Sequence, residues 1–131
     1  MEQRVINPWK WQDPFGFVQA TELKGATRTL YVAGQAAIDA EGHPAHAADM
    51  GAQVKLALDN LETVLTQSGY NFSHVVRLNV YTTDVDALFP HWGQIVERVT
   101  GAGGKFACFL GGVKRLAFPE LMVEIEATAA Q

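Results

Sequence analysis

Residues Val75–Thr82 read VVRLNVYT, and this stretch decides the fold because apolar and polar side chains alternate along it. Strict alternation predicts a β-strand that is buried on one face and open on the other. The face predicted to meet a core carries Val76, Leu78 and Val80. The opposite face carries Arg77, Asn79 and Tyr81.

A second alternating stretch, Leu121–Ala129, lies near the end of the chain. Its predicted core face carries Leu121, Val123, Ile125 and Ala127. Its other face carries Met122, Glu124, Glu126 and Thr128. A polar face of this kind is often half-solvated in antiparallel sheets. It serves equally well as a subunit interface that keeps polar groups for a site, and the residues leave both alternatives open.

Two helices are predicted between and before these strands. Residues 49–67 place Val54, Leu58, Leu61 and Leu65 at helical spacing. Asp49 is the predicted N-cap and Gly69 the predicted C-terminal stop. The second helix begins after Asp84 or Asp86 and ends at the glycine-rich residues 101–104. Its apolar positions are Leu88, Trp92, Ile95, Val96 and Val99.

The remaining strands complete an α+β pattern. Residues 17–23 and 29–33 flank Lys24-Gly25 and are predicted to form a hairpin. A strand is also predicted over Phe106–Val113, with a short additional strand near residues 4–6. The order β-β-α-β-α-β-β predicts one mixed six-stranded sheet with two helices on one face.

The length, charge and cysteine content of the chain exclude several classes of protein. The 131 residues predict a single domain, 1–131, and the net charge of −4 argues against nucleic-acid binding. A single cysteine forms no intrachain disulfide, so we expect a cytoplasmic protein. No apolar run reaches about 18 residues, so no membrane span is expected. His43 and His46 lack an obvious third ligand, and no metal site is predicted.

Two residues have both a structural and a functional interpretation. Cys108 lies between Ala107 and Phe109 in an apolar strand, where a lone cysteine usually acts as a small core residue. Glu124 is either an exposed carboxylate on a wet sheet face or a site carboxylate that orients water.

Four segments at characteristic spacing resemble the Rid/YjgF family of reactive intermediate deaminases, whose older names include endoribonuclease L-PSP. They are VAGQ at 32–35, residues 53–61, VRLNVYTTD at 76–84 and VEIEA at 123–127. The resemblance covers about residues 14–129. It implies a chorismate-mutase-like fold, a homotrimeric barrel with clefts between subunits, and hydrolysis of enamines or imines without a cofactor.

The resemblance also implies roles for individual residues. Glu124 corresponds to a carboxylate associated with water near the imine carbon, and Gly34 to backbone that approaches the ligand. Phe17 falls where many members have tyrosine, and Trp92 lies on the helix that lines the cleft. Phe109 is a further candidate for the apolar wall.

Position 108 departs from the family pattern. Active members of the best-known branch have an arginine here, which clamps the substrate carboxylate through a bidentate pair. Cys108 cannot replace that clamp. If Cys108 is instead a nucleophile, it needs a nearby base, and His91 is the candidate that the sequence offers.

Two hypotheses follow from this pattern. The first is an enamine or imine deaminase that acts on small molecules other than simple 2-imino acids, with Glu124 and Cys108 at the site. The alternative is a non-catalytic trimer that binds a ligand or another protein. A deep pocket lined by Glu124, Gly34 and Cys108 would favour the first, and a cleft plugged by Phe109 or Trp92 the second.

Overall fold

The computed structural model describes residues 1–131, which form six strands and one long helix with several short helical turns. The strands are β1 (Glu2–Ile6), β2 (Ala20–Lys24), β3 (Thr29–Ala36), β4 (Val75–Thr82), β5 (Ala107–Gly112) and β6 (Val123–Ala130). The helices are α1 (Met50–Gln67), α2 (Val85–Leu88) and α3 (Gly93–Ile95). No helix is both long enough and apolar enough to cross a membrane.

Helix α1 begins and ends where its sequence predicts. The side chain of Asp49 accepts a hydrogen bond from the backbone N–H of Ala52 at 3.1 Å and so caps the first turn. The chain leaves the helix at Gly69, which has a φ of +80°. Such a left-handed φ favours glycine because it has no Cβ. The apolar stripe predicted from the spacing, Val54, Leu58, Leu61 and Leu65, is fully buried.

The sheet topology differs from the predicted single sheet of six strands. Strands β3, β6, β4 and β5 form a four-stranded sheet in that order, while β1 and β2 pair separately. One isolated bridge, between Val18 and Ala107, joins the N-terminal part of the chain to β5. The mixed character is confirmed, since β4 and β5 are parallel and the other pairs are antiparallel.

The predicted hairpin between residues 17–23 and 29–33 is wrong. Strand β2 pairs with β1, and β3 pairs with β6 at the far end of the chain. The short glycine-containing turn is present, with Gly25 at a φ of +75°. A local turn signal does not determine which strand becomes the neighbour. The apolar residues of β3, such as the buried Val32, instead face the core beneath α1.

The two faces of the four-stranded sheet have the predicted polarity. Leu78 and Val80 of β4 and Val123 and Ile125 of β6 are fully buried on the side that the helices cover. The other face carries the predicted Arg77, Asn79, Tyr81, Glu124 and Glu126, all of them at least partly exposed. At the start of β4 the register shifts between Val75 and Arg77, so Val75 is buried in place of the predicted Val76.

The second predicted helix is broken into short pieces. Asp84 caps it by accepting from the N–H of Ala87 at 3.0 Å. After α2 the chain forms a 3-10 turn at Phe89–His91, then α3, then a π-helical turn at Val96–Thr100. Pro90, which lies in the 3-10 turn, has no N–H to continue a regular helix.

The side chain of Gln53 in helix α1 forms hydrogen bonds with two neighbouring loops. This fully buried side chain donates to the carbonyls of His46 and Glu120, at 3.1 and 2.8 Å. Its own carbonyl accepts from the N–H of Met122 at 2.8 Å. A single amide therefore satisfies three backbone groups that flank the helix and β6.

We expect Gln53→Ala to lower the free energy of unfolding by about 2–4 kcal/mol, because it leaves the Glu120 carbonyl and the Met122 N–H without partners and removes one of the two hydrogen bonds to the His46 carbonyl. Gln67→Ala makes the same chemical change at an exposed position of the same helix. It should cost less than about 0.5 kcal/mol. Urea denaturation of both variants measures the difference, and equal losses would show that the Gln53 contacts are not stabilising.

Candidate functional site

Glu124 and Gly34 lie against each other on the open side of the sheet. Gly34 falls where the pairing of β3 with β6 shifts register, between Val32 and Gln35. A Cβ at position 34 would overlap the Glu124 carboxylate and lie 2.8 Å from its Cδ. Real Cβ atoms do not approach so closely, so only glycine allows Glu124 to lie across β3 in this way.

The two carboxylates of β6 differ in their hydrogen bonding. Glu126 accepts from the side-chain amide of Asn79 at 3.0 Å and from the hydroxyl of Tyr81 at 2.8 Å. The hydrogen bond to Glu126 raises the pKa of the Tyr81 phenol. Glu124 makes neither a side-chain hydrogen bond nor an ion pair within the chain, so its oxygens remain available to a ligand or to water.

A second candidate region lies on the helix side of β5. It is a cavity of about 260 Å³ whose seven lining residues are all hydrophobic. These residues, called here the aromatic pocket, are Trp11, Phe15, Phe17, Phe89, Trp92, Cys108 and Leu110. The pocket contains three of the residues that the sequence singled out, namely Phe17, Trp92 and Cys108.

The register of β5 places Cys108 and Phe109 on opposite faces. Cys108 pairs with the buried Leu78 and points toward the helices. Phe109 pairs with Asn79, is 48% exposed, and lies 6.2 Å from the Tyr81 ring between centroids. Neither Phe109 nor Trp92 fills the aromatic pocket, since Trp92 forms part of its wall.

Within one chain the predicted site residues form two separate groups. Gly34 and Glu124 lie at the β3 side of the sheet, whereas Cys108 and the aromatic pocket lie at β5. Strands β3 and β5 are three spacings apart, which is roughly 14 Å. A single pocket lined by Glu124, Gly34 and Cys108 is therefore absent from the isolated chain.

His91 lies away from Cys108. It packs over the first turn of α1, where a Cβ at Gly51 would be 2.8 Å from the imidazole Nδ1. It is not among the residues that line the aromatic pocket. The proposed pairing of His91 with the Cys108 thiol therefore has no support in the geometry.

Four residues of the aromatic pocket were not predicted as site residues: Trp11, Phe15, Phe89 and Leu110. The signal for two of them was present in the sequence. Trp11 and Phe15 sit in a segment rich in proline and glycine, where large apolar side chains are costly to leave in water. No group of three or more His, Cys, Asp or Glu side chains is arranged to hold a metal ion.

The family model for Endoribonuclease L-PSP matches residues 14–131. The chain belongs to this family, which is also called Rid/YjgF. The resemblance inferred from the four sequence segments is thereby confirmed, and so is the α+β fold. Family membership supports a small-molecule hydrolase or imine-processing role in general terms.

Individual relatives of this Rid/YjgF protein agree with the assignment. The crystal structure of YyfB from Yersinia pestis, described as a Rid family protein of unknown function, has a TM-score of 0.89 and 38% identity over 100% of both chains. A RutC family protein from Pyrococcus abyssi is 29% identical over 130 residues, 98% of each chain. Protein DfrA from Myxococcus xanthus is 33% identical over 69 residues, 53% of this chain and 52% of DfrA.

The Cys108 thiol of this Rid/YjgF protein is held in its protonated form. Burial among apolar side chains raises its pKa from an ordinary value of 9.0 to about 12, and the charge of Arg77 opposes this only in part. Its sole hydrogen bond is a weak one, 3.8 Å to the carbonyl of Phe109. A thiol in this state is a poor nucleophile at neutral pH.

We expect Cys108 to react with a small disulfide reagent about 1000-fold more slowly in the native protein than in urea at pH 8, because the thiolate is the reacting form. The native rate should rise about tenfold per pH unit from pH 8 to pH 11, since deprotonation increases until the pH nears the raised pKa. Mass spectrometry of timed samples measures both rates. A native rate that levels off near pH 9 would contradict the raised pKa.

Proposed function

We propose that this protein is a cofactor-independent hydrolase of imines or enamines, acting at clefts between the subunits of a homotrimer. The observation that carries the proposal is Glu124, a carboxylate with no partner in the chain that lies over a glycine on the open sheet face. A free carboxylate so placed is suited to act as a general base toward water.

The sheet edges support a head-to-tail assembly. Strand β3 pairs only with β6, and β5 pairs only with β4 beyond the single bridge at Ala107. Both edges of the four-stranded sheet are therefore open for most of their length, and exposed edges readily pair with another chain. When the β3 edge of one copy meets the β5 edge of the next, the contact is heterologous, and such contacts form a ring when the rotation between copies closes.

This arrangement would join the two halves of the candidate site. Because Glu124 lies across β3 over Gly34, its carboxylate would reach the junction with the β5 edge of the neighbour, where the aromatic pocket of that neighbour begins on the helix side. A ring of three follows the resemblance to Rid/YjgF proteins. Assembly also accounts for the polar and aromatic open face, which carries Tyr31, Tyr81 and Phe109 and is left uncovered in one chain.

The proposed reaction needs only water and a proton acceptor. The Glu124 carboxylate takes a proton from water while the water oxygen bonds to the imine carbon, and it passes that proton to the imine nitrogen to give a carbinolamine. Glu124 then takes the proton of the carbinolamine hydroxyl and delivers it to the amino nitrogen as the C–N bond breaks, which releases ammonia, forms the carbonyl group and leaves the carboxylate as it began. An imine and one water thus become a carbonyl compound and ammonia. An enamine enters the same sequence after protonation at carbon.

The residue at position 108 shapes the proposed substrate range. A simple 2-imino acid carries a carboxylate, which is best held by a bidentate arginine. Cys108 is neutral and partly buried, and it offers no cation. We therefore propose substrates other than simple 2-imino acids.

We expect Glu124→Gln to lower kcat for imine hydrolysis at least about a hundredfold, because the amide does not accept a proton from water. Glu126→Gln is the matched control on the same face of the same strand. It should keep kcat within a few-fold and lower stability instead, since Glu126 binds Asn79 and Tyr81. Ammonia release and thermal unfolding are measured for both variants.

Two results would contradict this assignment. One is equal activity in the Glu124→Gln variant and the wild type. The other is a wild-type protein that binds imine analogues but hydrolyses no imine, which would favour the non-catalytic alternative.

We expect light scattering to give a mass about three times 14.3 kDa at micromolar concentration. The physical reason is that two sheet edges and one sheet face remain uncovered in the single chain. A monomer mass would remove the basis for a site shared between subunits.

A further inference from the structure

The reaction proposed for Glu124 assigns no chemical step to the aromatic pocket. Within one chain the pocket lies at β5, on the opposite side of the sheet from Glu124, and no residue in it donates or accepts a proton at neutral pH. It nevertheless has a volume of about 260 Å³ and seven hydrophobic walls. The pocket therefore calls for an explanation of its own.

The pocket is built from three parts of the chain. Trp11, Phe15 and Phe17 come from the segment before β2, and Phe89 and Trp92 come from the second helical region. The side chains of Cys108 and Leu110 form the floor on β5. Trp11 and Phe17 meet edge to face, with ring centroids 5.8 Å apart and planes at 71°. This geometry is favourable for aromatic pairs and leaves ring surface available to a ligand.

Hydrogen bonds hold the walls in place. The indole N–H of Trp92 donates to the carbonyl of Phe15 at 2.9 Å. The hydroxyl of Thr100 donates to the carbonyl of Gly16 at 2.8 Å. The fully buried Gln12 donates to the carbonyl of Trp9 at 2.9 Å and accepts from the side chain of Gln19 at 3.1 Å. Because the walls are already ordered, binding in the pocket costs little conformational entropy.

The lining determines what the pocket can hold. A charged group placed among seven hydrophobic side chains would lose its hydration and gain no partner. A neutral apolar group has no strong hydration to lose, and its binding removes hydrophobic surface from water. Engineered apolar cavities of about 150 Å³ bind benzene, so this pocket has room for a single ring or a fused pair of rings.

We propose that the aromatic pocket binds a neutral aromatic ring of the substrate and so selects aryl-substituted imines over small aliphatic ones. The proposal rests on the proposed function for the reacting end of the substrate, whereas ring binding is an independent property of the pocket. Trp11 acts here as a specificity-determining residue, because it forms the outer wall and touches no reacting atom.

Calorimetric titration of the native protein with three alcohols tests ring binding without any turnover. Benzyl alcohol carries the ring, ethanol replaces the ring with a methyl group, and 4-(hydroxymethyl)benzoate adds a charge to the ring. We expect benzyl alcohol to bind at least tenfold more tightly than each of the others, which is the order of discrimination that hydrophobic pockets achieve.

Trp11→Ala and Trp9→Ala provide a matched pair of variants. Both tryptophans lie in the same loop and are similarly exposed, 60% and 58%, but only Trp11 lines the pocket. Trp11→Ala should weaken benzyl alcohol binding at least tenfold, and Trp9→Ala should leave it within twofold. Equal affinity for the three alcohols, or equal effects of the two variants, would overturn the proposal. A pocket filled by a neighbouring subunit would likewise show no binding of benzyl alcohol and overturn it.

Turnover separates this proposal from the proposed function. Hydrolysis of aryl-substituted imines at least tenfold faster in kcat/KM than of methyl-substituted ones supports both. Hydrolysis without ring preference contradicts the role of the pocket and leaves the reaction in place. Ring binding without hydrolysis of any imine contradicts the proposed function, and with it the selection of imines, while the ring site itself stands.

Discussion

The helices cover only one face of the four-stranded sheet, and the other features of this protein depend on that constraint. The covered face is filled by a core in which Leu78, Val80, Val123 and Ile125 are fully buried. The uncovered face holds charged, polar and aromatic side chains side by side, among them Glu124. An alternating strand can supply both environments at once, because successive side chains point to opposite faces.

The division between faces also separates two kinds of chemistry. The open face offers the unpartnered Glu124 carboxylate, while the aromatic pocket on the other side offers hydrophobic surface and a thiol that stays protonated. The absence of a Cβ at Gly34 keeps the carboxylate close to the β3 edge. In the proposed assembly this edge meets β5 of a neighbour, so a polar reacting centre and an apolar specificity pocket come together only between subunits.

The sequence predicted the parts of the fold that local chemistry controls. Helix α1 was predicted from its apolar spacing together with the Asp49 cap, and β4 from its alternation. The partner of β3 was predicted incorrectly, because the glycine turn at Gly25 is a local signal whereas pairing with β6 spans nearly the whole chain. The break in the second helix coincides with Pro90, which has no N–H, whereas the apolar spacing alone predicts one continuous helix.

The sequence identified several residues of the candidate site but not the contacts between them. Glu124 and Gly34 were selected as separate residues, because a glycine inside a strand indicates a bulge or a close approach but does not identify the side chain that approaches it. Cys108 was expected beside them, and strand register instead turns it toward the helices. The sequence shows that Trp11 and Phe15 are apolar residues that favour burial. It does not show that they line the aromatic pocket, because that depends on the tertiary structure.

Mixing two impaired variants tests most directly whether the site is shared between subunits. Glu124→Gln damages the part at β3, and Trp11→Ala damages the part at β5. The two variants are unfolded and refolded together in equal amounts. In a head-to-tail ring each site takes Glu124 from one subunit and Trp11 from the next, and neighbours combine at random. About one site in four therefore contains both wild-type residues. A site shared between subunits should recover about a quarter of wild-type activity toward an aryl-substituted imine. Activity no higher than the average of the two separate variants would show instead that the site lies within one chain.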